Sequence, residues 1–559
     1  MKSLNTRSTS FRNLFVFWVR RMLAGGMLLG AIISFSISAM AAQRFLTILS
    51  FLQAFPSVIR FFTFSLNLIW WLGLGWLLFL IGGTFLFGRW YCAFLCPLGT
   101  LQDIIFLIKP KKQKKYTAAV PLLRGLILLG TVFLGATGLM AVAGWLDPWS
   151  LFSRLSRHSP GVFPGSNPAQ ETSPVALLPF IVPLGILIAI LGLSFFSSRW
   201  FCGNLCPVGT LLGFLNKHAL FHITLDETSC IRCGRCTTVC RASCVDGVHK
   251  WLDTSRCTYC IACIVQCPVE ALRYERKGPG KGTSITTGGP SPGRTSVSRP
   301  VVESSNQKGS IIPIVSPSGE SRTSTVLLTR AEFIQRSLGI LGVTGAALLL
   351  RKPIEGFAAI PAGAMVPIIP PGAQSVRHLR EHCTACGLCM EVCPVQIIQP
   401  SLGKLGVGGI FIPQLDYGVS YCQYECKRCS EVCPTGALQK INLPEKKRIK
   451  IGDATLLRER CIVIKNKTRC GACAEHCPTG AVHMMIGSTG LPEPVFSSSI
   501  CIGCGACHHV CPPEPKAITV SGLTEHALAE EAHPHLESPE GEADPAGNNQ
   551  SPGTEDFPF

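Results

Sequence analysis

"CIRCGRCTTVC", residues 230–240, sets Cys230, Cys233, Cys236 and Cys240 at gaps of two, two and three residues. "CTYCIACIVQCP", residues 257–268, repeats those gaps at Cys257, Cys260, Cys263 and Cys267 and adds Pro268. Three thiols this close can wrap one corner of a compact inorganic core, while the fourth, held off by a longer gap and turned away by proline, reaches the neighbouring core. Structural zinc favours two separated pairs of ligands, which such a run does not offer. Repetition of one spacing is also an odd framework for disulfides.

The spacing is that of [4Fe-4S] ligation in bacterial ferredoxins. By that rule Cys230, Cys233, Cys236 and Cys267 hold one cluster, and Cys257, Cys260, Cys263 and Cys240 the other. Arg241 stands where the first run would end in proline. Beyond residue 380 come four more runs: Cys383, Cys386, Cys389 and Cys393 before Pro394; Cys422, Cys426, Cys429 and Cys433 before Pro434; Cys461, Cys470, Cys473 and Cys477 before Pro478; Cys501, Cys504, Cys507 and Cys511 before Pro512. The inner two are stretched at their first gap. Six runs predict six [4Fe-4S] clusters on 24 cysteines. Cys504 to His508 also reads C-x-x-C-H, a haem-attachment signal, but it falls inside a complete cluster run. No histidine precedes His158, so the first apolar stretches offer no imidazole to a haem, and none is expected.

A mean hydropathy of +0.34 with 15% charged residues is too apolar for a water-soluble chain of 559 residues. Stretches 22–41, 66–87, 125–144 and 176–196 have the roughly 20-residue length of transmembrane helices. A further piece, 45–64, carries Gln53, Pro56 and Arg60 and reads as interfacial or re-entrant. Arg7, Arg12, Arg20 and Arg21 precede the first stretch, and Lys109, Lys111, Lys112, Lys114 and Lys115 follow the second. That alternation puts the N-terminus in the cytoplasm of a bacterial inner membrane. The net charge of +18 is then topology, not a nucleic-acid surface.

"GRWYCAFLCPLGTLQD" (88–103) returns as "SRWFCGNLCPVGTLLG" (198–213), each a C-x3-C-P motif at a cytoplasmic helix end. Cys92, Cys96, Cys202 and Cys206 could be catalytic redox thiols near a quinone, ligands of a further metal centre, or a helix-end packing motif. Each pair is too short to wrap a cube alone. Arg89, Trp90, Arg199 and Trp200 read most simply as interfacial residues. Cys244 is left over, and reads as a small buried hydrophobe.

The expected fold is thus a membrane α-helical domain of four spans, with a fifth apolar segment as signal or anchor, joined to α+β bacterial-ferredoxin-like domains. Its parts are a cytoplasmic N-terminus (1–21), the membrane domain (22–213), a two-cluster ferredoxin domain (214–272), a Gly-, Ser-, Thr- and Pro-rich linker (273–325), a signal or anchor (326–360), a four-cluster polyferredoxin domain (361–524) and an acidic disordered tail (525–559). Before the last domain, Arg330 and Phe333 match a twin-arginine signal while Ala331 replaces its second arginine. The 14 uncharged residues between Arg336 and Arg351 suit an export signal better than a span. Export would place the polyferredoxin in the periplasm; without it, everything beyond the membrane domain is cytoplasmic.

This order resembles a NapH-type membrane subunit, related to the NosR and CcoG proteins, fused to a NapG-type polyferredoxin. The resemblance implies a quinol dehydrogenase that passes electrons from the membrane quinone pool to a periplasmic reductase or cytochrome. It also implies, by likeness to four-cluster ferredoxin subunits, that the first of the last four runs pairs with the fourth and the second with the third. No P-loop or dinucleotide fingerprint is present. The NosR and CcoG relatives imply an alternative, an assembly or regulatory factor for a metalloenzyme using cluster and thiol chemistry.

Overall fold

A computed structural model describes residues 2–36, 40–62, 68–108, 116, 120–157, 174–196, 199–276, 365–487 and 490–530, with scattered residues between 339 and 350. The signal-like motif at Arg330 and Phe333, most of the linker and most of the acidic tail lie outside them.

The chain begins with helices α1 (Lys2–Ser36), α2 (Met40–Phe51), α3 (Ala54–Phe62) and α4 (Leu68–Phe87). Then come α5 (Tyr91–Phe94), α6 (Pro97–Ile108), α7 (Pro121–Ala136), α8 (Met140–Ala143), α9 (Pro148–Arg157), α10 (Pro174–Phe196), α11 (Trp200–Asn204) and α12 (Pro207–Asn216). Among the described residues one helix, Asn13–Phe35, is long and apolar enough to cross a bilayer, whereas the apolar parts Trp71–Phe87, Pro121–Ala136 and Ile181–Ser194 are shorter. Four full spans are therefore not what the structure presents. The third stops early for a local reason. Gly138 takes φ +78°, and the Leu139 and Gly138 N–H groups bond back to Leu134 and Gly135, a Schellman end that glycine permits. The re-entrant reading of 45–64 corresponds to α2 and α3, broken at Gln53 between them.

Three helices connect the same two cysteine-rich units. On α1, Arg20 donates to the Cys260 carbonyl (3.3 Å), while Phe35 packs with Leu388 and Val432. On α4, Gly73 lies against Arg60, which binds the Pro434 carbonyl, and the opposite end meets Tyr274, whose hydroxyl donates to the Phe87 carbonyl (3.3 Å). On α7, Arg124 near the start donates to Ser255 Oγ (3.0 Å), and Gly138 beyond the end faces Glu381. At about 1.5 Å per residue, the step from Arg124 to Gly138 holds these contacts about 21 Å apart. The two units sit at opposite ends of one helical bundle.

The first unit pairs β1 (Phe221–Leu225) antiparallel with β4 (Leu272–Arg276), Phe221 opposite Arg276. Between them lie α13 (Arg235–Val239), β2 (Val245–Asp246), β3 (Trp251–Leu252) and α14 (Ala262–Val265). The expected linker start at residue 273 is thus four residues early, because Arg273 to Arg276 complete a strand. The second unit contains the pairs β5 (Ile398–Pro400) with β6 (Pro413–Leu415), β7 (Ile449–Leu456) with β10 (Ile518–Leu528), and β8 (Val482–Ile486) with β9 (Pro492–Phe496). Strand β10 runs past the expected boundary at 524, with Leu528 opposite Ile449.

Candidate functional site

In the four evenly spaced runs the backbone is left-handed on both sides of the second cysteine. Arg232 and Gly234 flank Cys233, Tyr259 and Ile261 flank Cys260, Ala385 and Gly387 flank Cys386, and Gly503 and Gly505 flank Cys504, all at positive φ. Such alternation curls consecutive N–H groups into a concavity that suits an anionic group. Backbone N–H groups also aim at sulfur: Ala385 at Cys383 Sγ and Leu438 at Cys433 Sγ, both 3.3 Å.

Cys230, Cys233, Cys236 and Cys267 line one hollow. Cys263 lies within electrostatic reach of Cys257, Cys260 and Cys240. In this first unit the fourth cysteine of each run therefore crosses to the other run's trio, as the spacing predicts.

The second unit departs from the expected pairing. Cys393 lines a hollow with Cys422, Cys426 and Cys429, and Cys433 acts on Cys383, Cys386 and Cys389. Cys511 lines another hollow with Cys461, Cys470 and Cys473, while Cys477 acts on Cys501, Cys504 and Cys507. First pairs with second and third with fourth, not first with fourth and second with third. The two halves meet where Cys422 N–H bonds to the Cys504 carbonyl (2.9 Å) and the Tyr417 hydroxyl to the Gly503 carbonyl.

Among the described residues, no three His, Cys, Asp or Glu side chains converge as a single metal ion would require. Four thiols spread around a hollow, served by backbone N–H groups, instead fit a polynuclear [4Fe-4S] centre. His508, of the haem-like motif, spends its Nδ1 on the Ile518 carbonyl (2.6 Å). Cys244 is buried, with Sγ 3.5 Å from Cys240 Sγ.

One trio of the second unit faces the bundle. Arg154 of α9 donates to the carbonyls of Ala385 (2.7 Å) and Thr384 (2.6 Å), and Ser153 to that of Cys386 (2.8 Å). At the other end Arg241 explains its place in the first run. It binds Asp103, which also takes Arg199 at 2.8 Å and Arg20 at 3.8 Å. Proline there would leave the first unit without this tie.

The C-x3-C-P copies face each other. Arg89 donates to the Cys202 carbonyl (3.2 Å) and Arg199 to the Cys92 carbonyl (3.0 Å), a reciprocal exchange between the repeats. Arg89 is 0% and Arg199 2% exposed, which overturns their reading as interfacial residues. All four cysteines of these motifs are buried in one apolar cluster with Leu80, Leu151 and Ile190. Sequence reasoning missed this clasp; the invariant Arg-Trp frame of the two copies is the signal that carried it.

A family described as a 4Fe-4S binding domain matches residues 69–115 and 179–225, the two C-x3-C-P copies. A 4Fe-4S dicluster domain matches 382–437 and 468–514, a division that agrees with the pairing of neighbouring runs. The chain is similar to the uncharacterized protein MJ0749 of Methanocaldococcus jannaschii, 25% identical over 34% of this chain and 66% of that protein. It is also similar to the methylamine utilization ferredoxin-type protein MauN of Paracoccus denitrificans (27% identical, over 27% of this chain and 48% of MauN). The ferredoxin-type protein NapF of Escherichia coli K12 is 29% identical over 28% of this chain and 87% of NapF. The chain thus spans about half of MauN and two thirds of MJ0749. No solved structure matches. The chain carries 4Fe-4S ferredoxin-type domains of two kinds and is built for iron-sulfur electron transfer.

Proposed function

We propose that this chain is a membrane-bound electron relay of the quinol dehydrogenase type, which takes electrons from the membrane quinone pool and passes them through six [4Fe-4S] clusters on 24 cysteines to a periplasmic reductase or cytochrome. The observation that carries the reading is the attachment of the two cysteine-rich units to opposite ends of α1, α4 and α7. A one-sided ferredoxin has no use for that arrangement.

The bundle is read as membrane-embedded, α1 crossing the bilayer and the shorter apolar parts of α4, α7 and α10 packed beside it. Met22, Leu72, Leu122 and Ile188 are each more than 60% exposed; an apolar belt of that kind needs lipid around it. The basic residues near Arg20 then keep the first unit cytoplasmic, and the second unit lies outside. When bound, the clusters supply reversible one-electron storage. The chain's own groups fix them in order: the Cys230 and Cys257 trios in the first unit, the latter beside Arg20, the Cys383 trio on Arg154, then the Cys422 and Cys501 trios in contact, and the Cys461 trio after them.

Quinol added anaerobically to membrane vesicles should bleach the cluster absorption, with about 24 irons per chain from six cubes of four. No bleaching by quinol, with full reduction by dithionite, would sink the relay. Thiol or metal chemistry without quinol turnover would instead favour the assembly-factor reading.

A further inference from the structure

We propose that the surface around the Cys461 hollow is a docking face for an acidic one-electron redox protein, steered there by Arg460, Lys465, Lys467 and Arg469. The proposal rests on the relay reading above and gives the chemistry of the acceptor.

The position comes first. The hydrogen bonds that Arg60, Ser153 and Arg154 send from the bundle fall in the first two runs of the second unit, at Pro434, Cys386, Ala385 and Thr384. The fourth run comes next, its Cys504 carbonyl taking Cys422 N–H and its Ile502 carbonyl taking Ile451 N–H of β7 (3.0 Å). Leu456 ends β7, and it lines the Cys461 hollow with Ile518, its partner on β10. The five steps from Ile451 to Leu456, at about 3.4 Å each, cover about 17 Å. Seen from the bundle, the Cys461 hollow lies beyond the fourth run, where an exit belongs.

Charge is the second observation. Arg460, Lys465, Lys467 and Arg469 are all exposed, with Cys461 and Cys470 set among them. None of the four forms an ion pair among the described residues. Elsewhere on this unit Lys427, Lys447, Lys450 and Lys516 are answered by Glu431, Glu425, Asp453 and Glu514. Glu459 and Glu475, the carboxylates nearest in sequence, are outnumbered. Unanswered surface cations of one sign attract an anionic partner and speed its encounter.

The third observation is apolar. Met485, Ile486 and Val495 of the β8–β9 hairpin are 55%, 83% and 39% exposed. Pro494, next to Val495, lines the hollow. Arg458 fastens the basic segment to Glu493 (2.5 Å), which stands opposite Met485. Apolar side chains beside a charged rim are the make-up of a protein interface. Cations that only balanced the charge of the cluster would have no need of them. The step at this face is one electron leaving the reduced cluster, which is oxidised, for the centre of the partner, which is reduced; no bond forms or breaks.

The test mixes the full chain, purified anaerobically in detergent and reduced by dithionite without excess, with two forms of cytochrome c: native, which is basic, and lysine-succinylated, which is acidic. The succinylated form should be reduced about tenfold faster at low salt, and its rate should fall as salt rises. Lys465→Glu combined with Lys467→Glu should abolish that preference while iron content and the signals of the reduced clusters stay. Equal rates for the two forms, a faster native form, or a double variant that keeps the preference overturns the face. Should the double variant not accumulate, the wild type decides: a rate with the succinylated form that does not fall with salt overturns it. A preference seen only after removal of 531–559 means that the chain's own acidic tail covers the face, and overturns an outside partner. Because dithionite supplies the electrons, failure here with quinol bleaching intact removes the face alone. Loss of quinol bleaching defeats the relay whatever the cytochrome does.

Discussion

Arg199 clasps Asp103 through two parallel hydrogen bonds, Nε to Oδ1 and Nη2 to Oδ2, both 2.8 Å. Burial pushes this carboxyl up, and the guanidiniums of Arg199 and Arg241 outweigh that and hold it below the ordinary carboxylate range. The same carboxylate thus ties the second C-x3-C-P motif, α1 and the first ferredoxin unit together. Asp103→Asn keeps the shape and removes the charge, leaving three guanidiniums unanswered. The expected loss is about 3–5 kcal/mol, read as faster amide exchange throughout 214–276. Unchanged exchange there would show that the unit docks by other means.

Arg154 anchors the other end by two charge-assisted hydrogen bonds, at about 1.5–3 kcal/mol each. Arg154→Ala should release the second unit from the bundle, so that protease added to the outer face cuts within 365–530 more readily. Electron delivery from quinol to the clusters of that unit should fall at least tenfold, while dithionite still reduces them. Delivery at the wild-type rate would mean that the Cys383 trio is not the entry point.

Pairing of neighbouring runs has its own spectroscopic signature. Cys393→Ser should alter the same paramagnetic component as Cys426→Ser, because both thiols line one cavity. If Cys393→Ser instead altered the component changed by Cys504→Ser, the first-with-fourth arrangement would be restored.

His526 on β10 is held neutral by burial, its pKa lowered to about 4, with both ring nitrogens unpartnered. In the unfolded chain the ring titrates near about 6.5, so between these values the unfolded state binds the extra proton. Its contribution to stability is full above about pH 6.5 and is lost as pH falls toward about 4, at most about 3 kcal/mol. His526→Leu should flatten that part of the stability curve between pH 5 and 7. A variant with the wild-type slope would assign the dependence elsewhere.

The cluster trios were legible in the sequence because ligation by Cys230, Cys233 and Cys236, or by Cys501, Cys504 and Cys507, is a local matter of spacing. Which run supplies the fourth thiol was legible only where two runs stand alone, as at Cys240 and Cys267. With four runs it depends on long-range packing, such as the β7–β10 ladder and the contact between Cys422 and Cys504, which spacing does not encode. Span ends failed at Gly138, although Thr137-Gly138 is a readable helix stop. Arg89 and Arg199 were misread because a buried arginine and a headgroup arginine look alike in sequence; only the partner motif, more than a hundred residues away, tells them apart. Docking at opposite ends of the bundle was invisible for the same reason, since Arg154 and Thr384 meet across 230 positions.

The exchange of arginines between the two repeats has an ancestral reading. Neither copy satisfies its own Cys92 or Cys202 carbonyl; each borrows its donor from the other. A protein with a single copy would complete that clasp only by meeting its twin, so the present chain has the form of a symmetric dimer joined end to end by gene duplication. Halves 1–116 and 120–276, produced as separate polypeptides in the same cell, should therefore find each other without the join.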